Sequence, residues 1–476
     1  MEMKIILVNT VCGQGSVGRI TADLYETALR HGAQAAVAYG RGTAAPEIKA
    51  YRIGTKPDFY RHVCRNFFLG ESGFGSDERT RRFLRFLEQE KPDLLHLHNL
   101  HGFYLQIELL FAYIKEKNLP VVWTLHDCWP FTGHCAYYDK NGCLLWQQGC
   151  KSCRYHASAY PYALFRDNAE EGWRRKREAF CGVERLTLVT PSRWLADEVK
   201  KSFLKEYPVE VIPNGIDLNI FSTAESRSGK IVTELSEKMP LRNQQEPEAE
   251  RVRTVLGVAN VWEERKGLRF FQELAEKLPE PYRIRLIGLS DRQRRMLRKQ
   301  FSGQRLLPEG RTESIAELAE AYRQADVFVN PTLEDNFPTA NLEALACGTP
   351  VVTFRTGGSP ETIGCVMEER TASGQCQKPE QSEQPARVEG RTAALTETAC
   401  GICVEKGNGQ ALLRAVEGVC DSVRAGTAFG AKDCRTWAEQ FEKNSQYDRY
   451  YSLYEAMLAG KRGNGSHEGL HYYSDL

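Results

Sequence analysis

The chain has 476 residues, of which 42% are hydrophobic and 26% charged, and its net charge is +1. A chain of this length is longer than a domain with a single hydrophobic core usually is, so two domains are predicted. No apolar run approaches the ~18 residues that span a bilayer, and the apolar stretch near the start is too short for a signal peptide, so we expect a cytoplasmic protein.

The first half of the chain alternates strands with helices. Residues 4–10, KIILVNT, predict a short buried strand, and a glycine-rich turn at 12–18 connects it to a helix at 19–32. Further strands are predicted at 33–40, 92–99, 120–127, 186–192 and 209–217. This alternation is typical of βαβ units in a parallel sheet.

A second series of the same kind begins at residue 253. Its strands are predicted at 253–260, 282–288, 325–332 and 349–354. Two polar segments, 223–251 and 367–399, interrupt the pattern and predict mobile surface insertions. Residues 437–458 predict amphipathic helices, and residues 461–476 predict a disordered tail. The whole pattern predicts an α/β protein with two facing, doubly wound parallel-sheet domains.

The stretch 329–358 predicts a ligand site. It reads as strand, loop, helix and strand, with Asp335 or Asn336 able to cap the helix and Pro338 suited to its first turn. A capped helix does not explain Glu343, a carboxylate among apolar helix residues. Helix N-termini bind anions, and ligands of open α/β sheets bind beyond the carboxyl ends of strands. The stretch therefore predicts a sugar diphosphate held at the helix start.

The residues PTLEDNFPTANLEALACGTPVV resemble the donor-binding signature of retaining GT-B glycosyltransferases of the family 4 type. That signature is an acidic residue, seven others and a glutamate, and here Asp335 stands where the family has its first glutamate. The resemblance implies that Asp335 contacts the donor sugar and that Glu343 binds ribose hydroxyls. It also assigns to the donor site Asn336, Phe337, Pro338 and Thr339.

A cationic pair extends the resemblance. GVANVWEERKGL, residues 257–268, is similar to the family segment in which two cations neutralise the donor diphosphate, and Arg265 and Lys266 stand there. Two cations beside a leaving diphosphate stabilise its developing charge and replace a divalent metal. We therefore expect no catalytic metal.

Two first-domain motifs complete the resemblance. GQGSVGRI is similar to the family's glycine loop near the donor phosphates, which assigns Gly15, Ser16 and Gly18 to that site. In TLHDCWPFTGHC, His126 matches the family's histidine at the interdomain cleft. An isolated histidine at a strand end also fits a structural role.

The resemblance implies a GT-B fold of two facing Rossmann-like domains. We place the acceptor domain at 1–215, the donor domain at 216–436, and helices that return to the first domain at 437–460. HLHNLHGFYL, HDCWPFTGHC and EDNFPTANLEALACGTPVV are similar to the exopolysaccharide or colanic-acid-type subset.

The function implied is transfer of a sugar, with retention, from a nucleotide-diphosphate sugar to a glycan or lipid-linked acceptor in cell-surface polysaccharide biosynthesis. The alternative is a non-catalytic nucleotide-sugar-binding subunit of a polysaccharide assembly complex, which the departure at Asp335 favours. A dinucleotide oxidoreductase would need a ribose-binding acid that does not follow the glycine loop.

Charge is divided unevenly along the chain. Residues 1–215 hold 29 Lys and Arg against 24 Asp and Glu, with basic clusters at 79–87 and 173–178. These clusters fit solvated helix faces or an anionic partner, such as the inner face of the plasma membrane. No nucleic-acid-binding motif accompanies them, so nucleic acid is not expected.

A cysteine cluster follows His126. Cys135, Cys143, Cys150 and Cys153 are spaced C-x7-C-x6-C-x2-C. Four thiolates in a short loop can hold a structural Zn²⁺, and free thiols or a disulfide are the alternatives.

Overall fold

The computed structural model describes residues 3–223, 252–301, 303, 305–365 and 395–460. These residues form two seven-stranded sheets. The first comprises Lys4–Val11 (β1), Gln34–Arg41 (β2), Ala50–Arg52 (β3), Leu94–Leu97 (β4), Val121–Thr124 (β5), Leu186–Thr190 (β6) and Val209–Val211 (β7). The second comprises Arg253–Val258 (β8), Tyr282–Ile287 (β9), Leu306–Pro308 (β10), Val327–Asn330 (β11), Val351–Phe354 (β12), Leu395–Thr398 (β13) and Gly401–Val404 (β14).

Helices flank both sheets. Those of the first half are Gly15–Arg30 (α1), Lys56–Leu69 (α2), Asp77–Glu90 (α3), Ile107–Lys117 (α4), Ala169–Phe180 (α5) and Arg193–Lys200 (α6). Those of the second half are Leu268–Lys277 (α7), Asp291–Gln300 (α8), Ile315–Gln324 (α9), Thr339–Ala346 (α10), Gly409–Ala425 (α11), Ala431–Glu439 (α12) and Lys443–Ala459 (α13). None of these described helices is both long and apolar enough to cross a bilayer.

Both sheets are doubly wound. The first is parallel throughout, in the order β3-β2-β1-β4-β5-β6-β7. The second has the order β10-β9-β8-β11-β12-β14-β13 and is antiparallel only at its β13 edge. In each sheet the order reverses beside the first strand, where ligands of such folds bind. The predicted fold class is confirmed.

The central strands are apolar without interruption because both of their faces are covered. Along β1, Ile6 and Val8 join one core cluster, whereas Ile5 and Leu7 join the cluster on the opposite face. All four side chains are at most 1% exposed. Strands buried on both faces lose the polar alternation of a one-sided sheet.

The last helix of the described residues, α13, belongs to the core of the first sheet. Tyr447, Tyr450 and Tyr454 of α13 are buried in the cluster that contains Ile5 and Leu7. The helix packs against α1. The domain boundaries at 215/216 and 436/437 stay predictions.

The two segments that connect the first domain with the second lie next to each other, near residues 216 and 442. Ile216 pairs with Glu442 in a parallel bridge, with hydrogen bonds from Ile216 N to Phe441 O (2.8 Å) and from Lys443 N to Ile216 O (3.0 Å). The two crossings therefore lie side by side.

Four strands, β3, β10, β13 and β14, were not predicted from the sequence pattern. The edge strands β3 and β10 have three residues each. The segment predicted as an insertion at 367–399 ends in β13, which pairs with β14. The rest of that segment, residues 224–251 of the other insertion and the predicted tail lie outside the described residues.

Candidate active site

Helix α10 starts without a side-chain cap. Its first residue is Thr339, and the preceding Pro338 forms no capping hydrogen bond among the described residues. The predicted caps are wrong, because Asp335 and Asn336 have other partners. The Asp335 carboxylate accepts the Asn336 backbone N–H (3.0 Å), and the Asn336 side-chain oxygen accepts from Ser192 of the first domain (2.6 Å). The amides at the start of α10 thus keep their capacity for an anion.

The predicted cationic pair lies beside this helix start. Lys266 Nζ is 2.5 Å from Asp335 Oδ2, so the two residues form an ion pair across 69 residues of sequence. The guanidinium of Arg265 donates to the backbone oxygen of Glu334 at 3.3 Å. Both cations are therefore positioned against the Glu334–Asp335 segment.

Arg265 also contacts the first domain. Its guanidinium carbon lies 5.3 Å from the ring centroid of Tyr137, and its Nε is 3.0 Å from Glu263 Oε2. A cation over an aromatic face is held by the ring quadrupole.

Glu343 is buried and has partners from both halves of the molecule. The Tyr322 hydroxyl donates to Glu343 Oε2 at 3.0 Å, and Arg19 Nη2 of the first domain lies 3.7 Å from Oε1. Burial raises the pKa of the Glu343 carboxyl, although Arg19 and Tyr322 act to lower it. The carboxylate of the predicted ribose contact is thus in the interface between the domains.

The glycine turn opens directly into α1. The helix begins at Gly15, four residues earlier than predicted, so Ser16 and Gly18 belong to its first turn. Gly15 has φ of 66°, a left-handed conformation that glycine adopts without strain. A Cβ on Gly18 would lie 3.1 Å from Val11 Cγ2, so glycine allows this turn to approach β1 closely.

His126 lies just beyond the carboxyl end of β5. Its Nε2 is 3.0 Å from Nδ1 of His98, and burial lowers the pKa of His126 to about 4. Burial also lowers the pKa of His98 well below its usual range. Both imidazoles are therefore neutral near pH 7, and His98 occupies the Nε2 side of His126.

The two domains meet next to His126. The Asn336 amide nitrogen is 3.5 Å from the backbone oxygen of Leu125, the residue before His126. The structure thus brings predicted residues of both domains together at the interface between them. The ring of Phe337, in contrast, packs on Phe441 in the core with centroids 5.9 Å apart.

A first-domain loop contacts the donor-side residues and was missed from the sequence. The Lys140 backbone N–H donates to Glu334 Oε1 at 2.9 Å, and Lys140 Nζ pairs with Glu264 at 2.8 Å. Asp139 pairs with Lys406 at 2.9 Å. Nothing in the local pattern of residues 137–140 predicts these contacts, because every partner lies more than 100 residues away.

Two glycines after β12 were also missed. A Cβ on Gly357 would lie 1.8 Å from the backbone oxygen of Asp335, and one on Gly358 would lie 2.1 Å from that of Asn336. The glycine pair allows the loop to pack on the Asp335–Asn336 backbone. Two consecutive glycines after a predicted strand were the available signal.

The four predicted metal ligands surround one small cavity. Cys135, Cys143, Cys150 and Cys153 all line it, and the Gly133 N–H donates to the Cys150 sulfur at 3.1 Å. Burial raises the pKa of the Cys150 thiol to about 12. Within the described ranges, no three Cys, His, Asp or Glu side chains form a group that could hold a metal ion. The zinc assignment stays a prediction.

Two family models match the chain, one for each domain. The model for Glycosyltransferase Family 4 matches residues 17–220, and the model for Glycosyl transferases group 1 matches residues 252–378. A protein of Escherichia coli (strain K12) described as a colanic acid biosynthesis glycosyl transferase, WcaC, is 25% identical over 378 residues, which are 76% of this chain and 85% of that protein.

Solved structures share the architecture. Sucrose-phosphate synthase from Thermosynechococcus elongatus superposes with a TM-score of 0.66 at 17% identity, over 96% of this chain and 100% of that one. Anabaena HepE in complex with UDP-glucose superposes with a TM-score of 0.59 at 13% identity, over 96% and 100% of the two chains. These identities show a shared fold.

Two facing Rossmann-like domains with a cleft between them define the GT-B class of proteins. The chain belongs to the group 1 and family 4 glycosyltransferases, and it is a transferase enzyme. Family membership stands against the alternative of a non-catalytic binding subunit.

Proposed function

We propose that the enzyme transfers a sugar, with retention of configuration, from a nucleotide-diphosphate sugar to a glycan or lipid-linked acceptor in cell-surface polysaccharide biosynthesis. The observation that carries the proposal is the placement of Arg265 and Lys266 beside the uncapped start of α10. The UDP-glucose complex of HepE supports the donor class, and the description of WcaC as a colanic acid biosynthesis glycosyl transferase supports the process. We also propose that the enzyme is cytoplasmic and associates peripherally with the inner face of the plasma membrane.

The diphosphate would bind between the cationic pair and α10. Lys266 would leave the Asp335 carboxylate for the more highly charged diphosphate, and the amides of the first turn of α10 would donate to phosphate oxygens. These groups stabilise the charge that develops as the bond between the anomeric carbon and the phosphate oxygen breaks. We propose that these groups take that role without a catalytic metal ion.

Release of Lys266 would free Asp335 for the donor sugar. Its carboxylate would then accept a sugar hydroxyl, and Glu343 would accept the ribose hydroxyls in place of Arg19. His126 would present Nδ1 to the sugar because its Nε2 faces His98. Donor binding would thus replace the Lys266–Asp335 and Arg19–Glu343 ion pairs by contacts between these residues and the ligand.

The acceptor would approach from the first domain. As in the mechanism that the family resemblance implies, its hydroxyl would attack the same face that the diphosphate leaves, through an oxocarbenium-like ion pair. The departing phosphate oxygen would take the proton of that hydroxyl. The contacts of Lys140 and Ser192 across the cleft would close the site and exclude water.

A thermal-shift panel of UDP- and GDP-sugars tests the donor. A ligand at about a hundred times its dissociation constant adds roughly 2.7 kcal/mol of stability, which shifts the melting temperature measurably. Transfer assays with the best donor and lipid-linked acceptors follow, and NMR of the product reports its anomeric configuration. Inversion, or no shift with any donor, contradicts the proposal.

A further inference from the structure

Exposed aromatic side chains gather where α2 meets the loop at residues 160–166. The rings of Phe68 and Phe165 stack with centroids 5.0 Å apart and planes 14° apart, although the residues are 53% and 68% exposed. Phe67 contacts both rings, at 5.4 and 5.6 Å. These rings form the centre of a surface that we call the aromatic surface.

The aromatic surface extends along both segments. Its other exposed members are Tyr60, Leu69, Tyr162 and Leu164. Two hydrogen bonds fix the loop to the helix: the Leu164 N–H donates to the Phe67 backbone oxygen (3.0 Å), and the Asn66 amide donates to the Tyr162 oxygen (2.8 Å). The apolar groups are therefore held outward by the fold.

Cations border this surface. Lys56 and Arg61 are exposed on α2, and Arg166 is exposed next to Phe165. Among the described residues, no ion pair involves any of these three side chains. The border therefore carries positive charge that the protein leaves available.

The acidic residues beside these cations are already engaged. Asp58 pairs with Arg79 at 2.8 Å, and Glu71 pairs with Arg65. Asp167 accepts the backbone N–H of Cys153 at 2.6 Å. Asp58 and Glu71 thus have cationic partners within the protein, and Asp167 is hydrogen-bonded.

The basic clusters singled out in the sequence contribute less to such a surface. Arg79 is paired with Asp58, as above, and Arg175 pairs with Glu108 at 2.6 Å. Lys176 is fully buried, with its Nζ donating to Trp129 O at 2.7 Å. Arg81, Arg85 and Arg177 of these clusters are exposed, and among the described residues they form no ion pair, so free cations also lie outside the border of the aromatic surface.

We propose that the aromatic surface binds the interface of an anionic phospholipid bilayer. Aromatic and aliphatic side chains enter the headgroup boundary, while bordering cations attract anionic lipids, and the two contributions add. Large contiguous patches of exposed apolar side chains mark interaction sites on soluble proteins.

The inference rests on the proposed function, because it supplies the lipid-linked acceptor. A row of rings connects the aromatic surface to the cleft: Tyr162 contacts Tyr160 (6.0 Å), and Tyr160 contacts His101 (5.7 Å). His101 in turn is 2.7 Å from Asp127, the residue after His126. Two ring contacts and one hydrogen bond thus separate the aromatic surface from Asp127.

Vesicle sedimentation tests the proposal with the full chain. We expect the protein to sediment with phosphatidylcholine vesicles that contain phosphatidylglycerol, and to dissociate as salt screens the cations. The double variant Phe68→Asp/Phe165→Asp should lose at least ~tenfold in partitioning, and Arg61→Glu/Arg166→Glu should lose binding to anionic vesicles. Met296→Asp is the matched control, since Met296 is 46% exposed on α8 of the other domain.

Two results would overturn the proposal. One is sedimentation that the Phe68→Asp/Phe165→Asp variant leaves unchanged, or no sedimentation of the wild type. The other is a lipid-free dimer that this double variant dissociates, because a second copy would then cover the surface. Donor hydrolysis by the wild type and the double variant should be equal. If neither protein hydrolyses any donor, the proposed function fails while sedimentation still decides this inference.

Discussion

The donor-side residues of the second domain and the first-domain residues that face them handle charge differently. In the second domain, Lys266 and Asp335 hold each other, and Glu343 is held by Tyr322 and Arg19. In the first domain, the facing side chain is His126, which burial keeps neutral. All ten histidines lie outside residues 216–436.

This difference indicates how each side would respond to a ligand. A negatively charged donor must displace ion pairs in the second domain, so its affinity depends on how strongly these residues bind each other in the free enzyme. The first domain offers neutral hydrogen-bonding groups whose protonation costs folding free energy. Substitution of the residues that contact these groups tests the response of each domain.

The largest effect is expected at Glu343. Glu343→Ala or Glu343→Gln should reduce kcat/KM for transfer by roughly 10²-fold or more, because two hydrogen bonds to a charged group are lost. Tyr322→Phe is the matched control, since it removes a partner of the carboxylate and leaves the carboxylate itself. Circular dichroism and thermal unfolding would verify the fold. An active Glu343→Ala enzyme contradicts the site.

Breaking the Lys266–Asp335 pair from its two ends should give opposite binding results. Lys266→Met removes a phosphate contact and should weaken nucleoside diphosphate binding by about tenfold or more. Asp335→Asn frees Lys266 and should bind the nucleoside diphosphate at least as tightly as the wild type, while transfer falls. Calorimetric titration separates the two outcomes. Equal weakening by both variants would show that the pair does not compete with the ligand.

The cysteine loop tests whether the first domain has a metal-fixed structure. On the zinc prediction, protein purified without chelator carries about one equivalent of Zn²⁺, and a chelator lowers its melting temperature. Cys143→Ser should lose the metal, whereas Cys64→Ser, at an exposed cysteine outside the cluster, should keep it. Less than about 0.3 equivalents in the wild type contradicts the prediction.

Acid should weaken the first domain before the second. Burial lowers the pKa of His126, His62 and His134 to about 4 and that of His96 to about 3, whereas an unfolded histidine titrates near 6.5. The unfolded state then binds more protons, so stability is present above about pH 6.5 and is lost as pH falls towards 4. In the second domain, burial instead raises the pKa of the Glu343 carboxyl.

Hydrogen exchange followed by mass spectrometry at pH 7 and pH 5 would measure this difference by domain. We expect amides of β4 and β5 to lose protection first, at about 1.4 kcal/mol per pH unit for each buried histidine. His62→Gln should reduce the loss. Equal loss in both domains would contradict the comparison.

The smallest effect is expected for Arg19→Ala. The side chain of Arg19 is 46% exposed and lies 3.7 Å from Glu343, a pair that solvent screens strongly. Donor affinity and melting temperature should therefore change little, by less than about 1 kcal/mol. A large loss of donor affinity would show instead that Arg19 contacts the ligand.

The fold was largely predictable because strands buried on both faces are continuous apolar runs. All the predicted strands are present, but β3 and β10 are too short to show a period, and β13 and β14 were also not predicted. Lys266, Asp335 and Glu343 were recognisable from their local motifs. Their pairing was not, because Lys266 and Asp335 are 69 residues apart, and Lys140 reaches Glu334 from the other domain. The predicted cap of α10 was wrong because the side-chain oxygen of Asn336 accepts a hydrogen bond from Ser192 of the other domain.

The position of α13 has a consequence for synthesis of the protein. Tyr447, Tyr450 and Tyr454 complete one core face of the sheet that begins at Lys4. A chain still leaving the ribosome therefore lacks part of the core of its N-terminal domain until α13 has emerged. All strands of the second sheet are synthesised before α13, so the core of the second domain can be complete before that of the first.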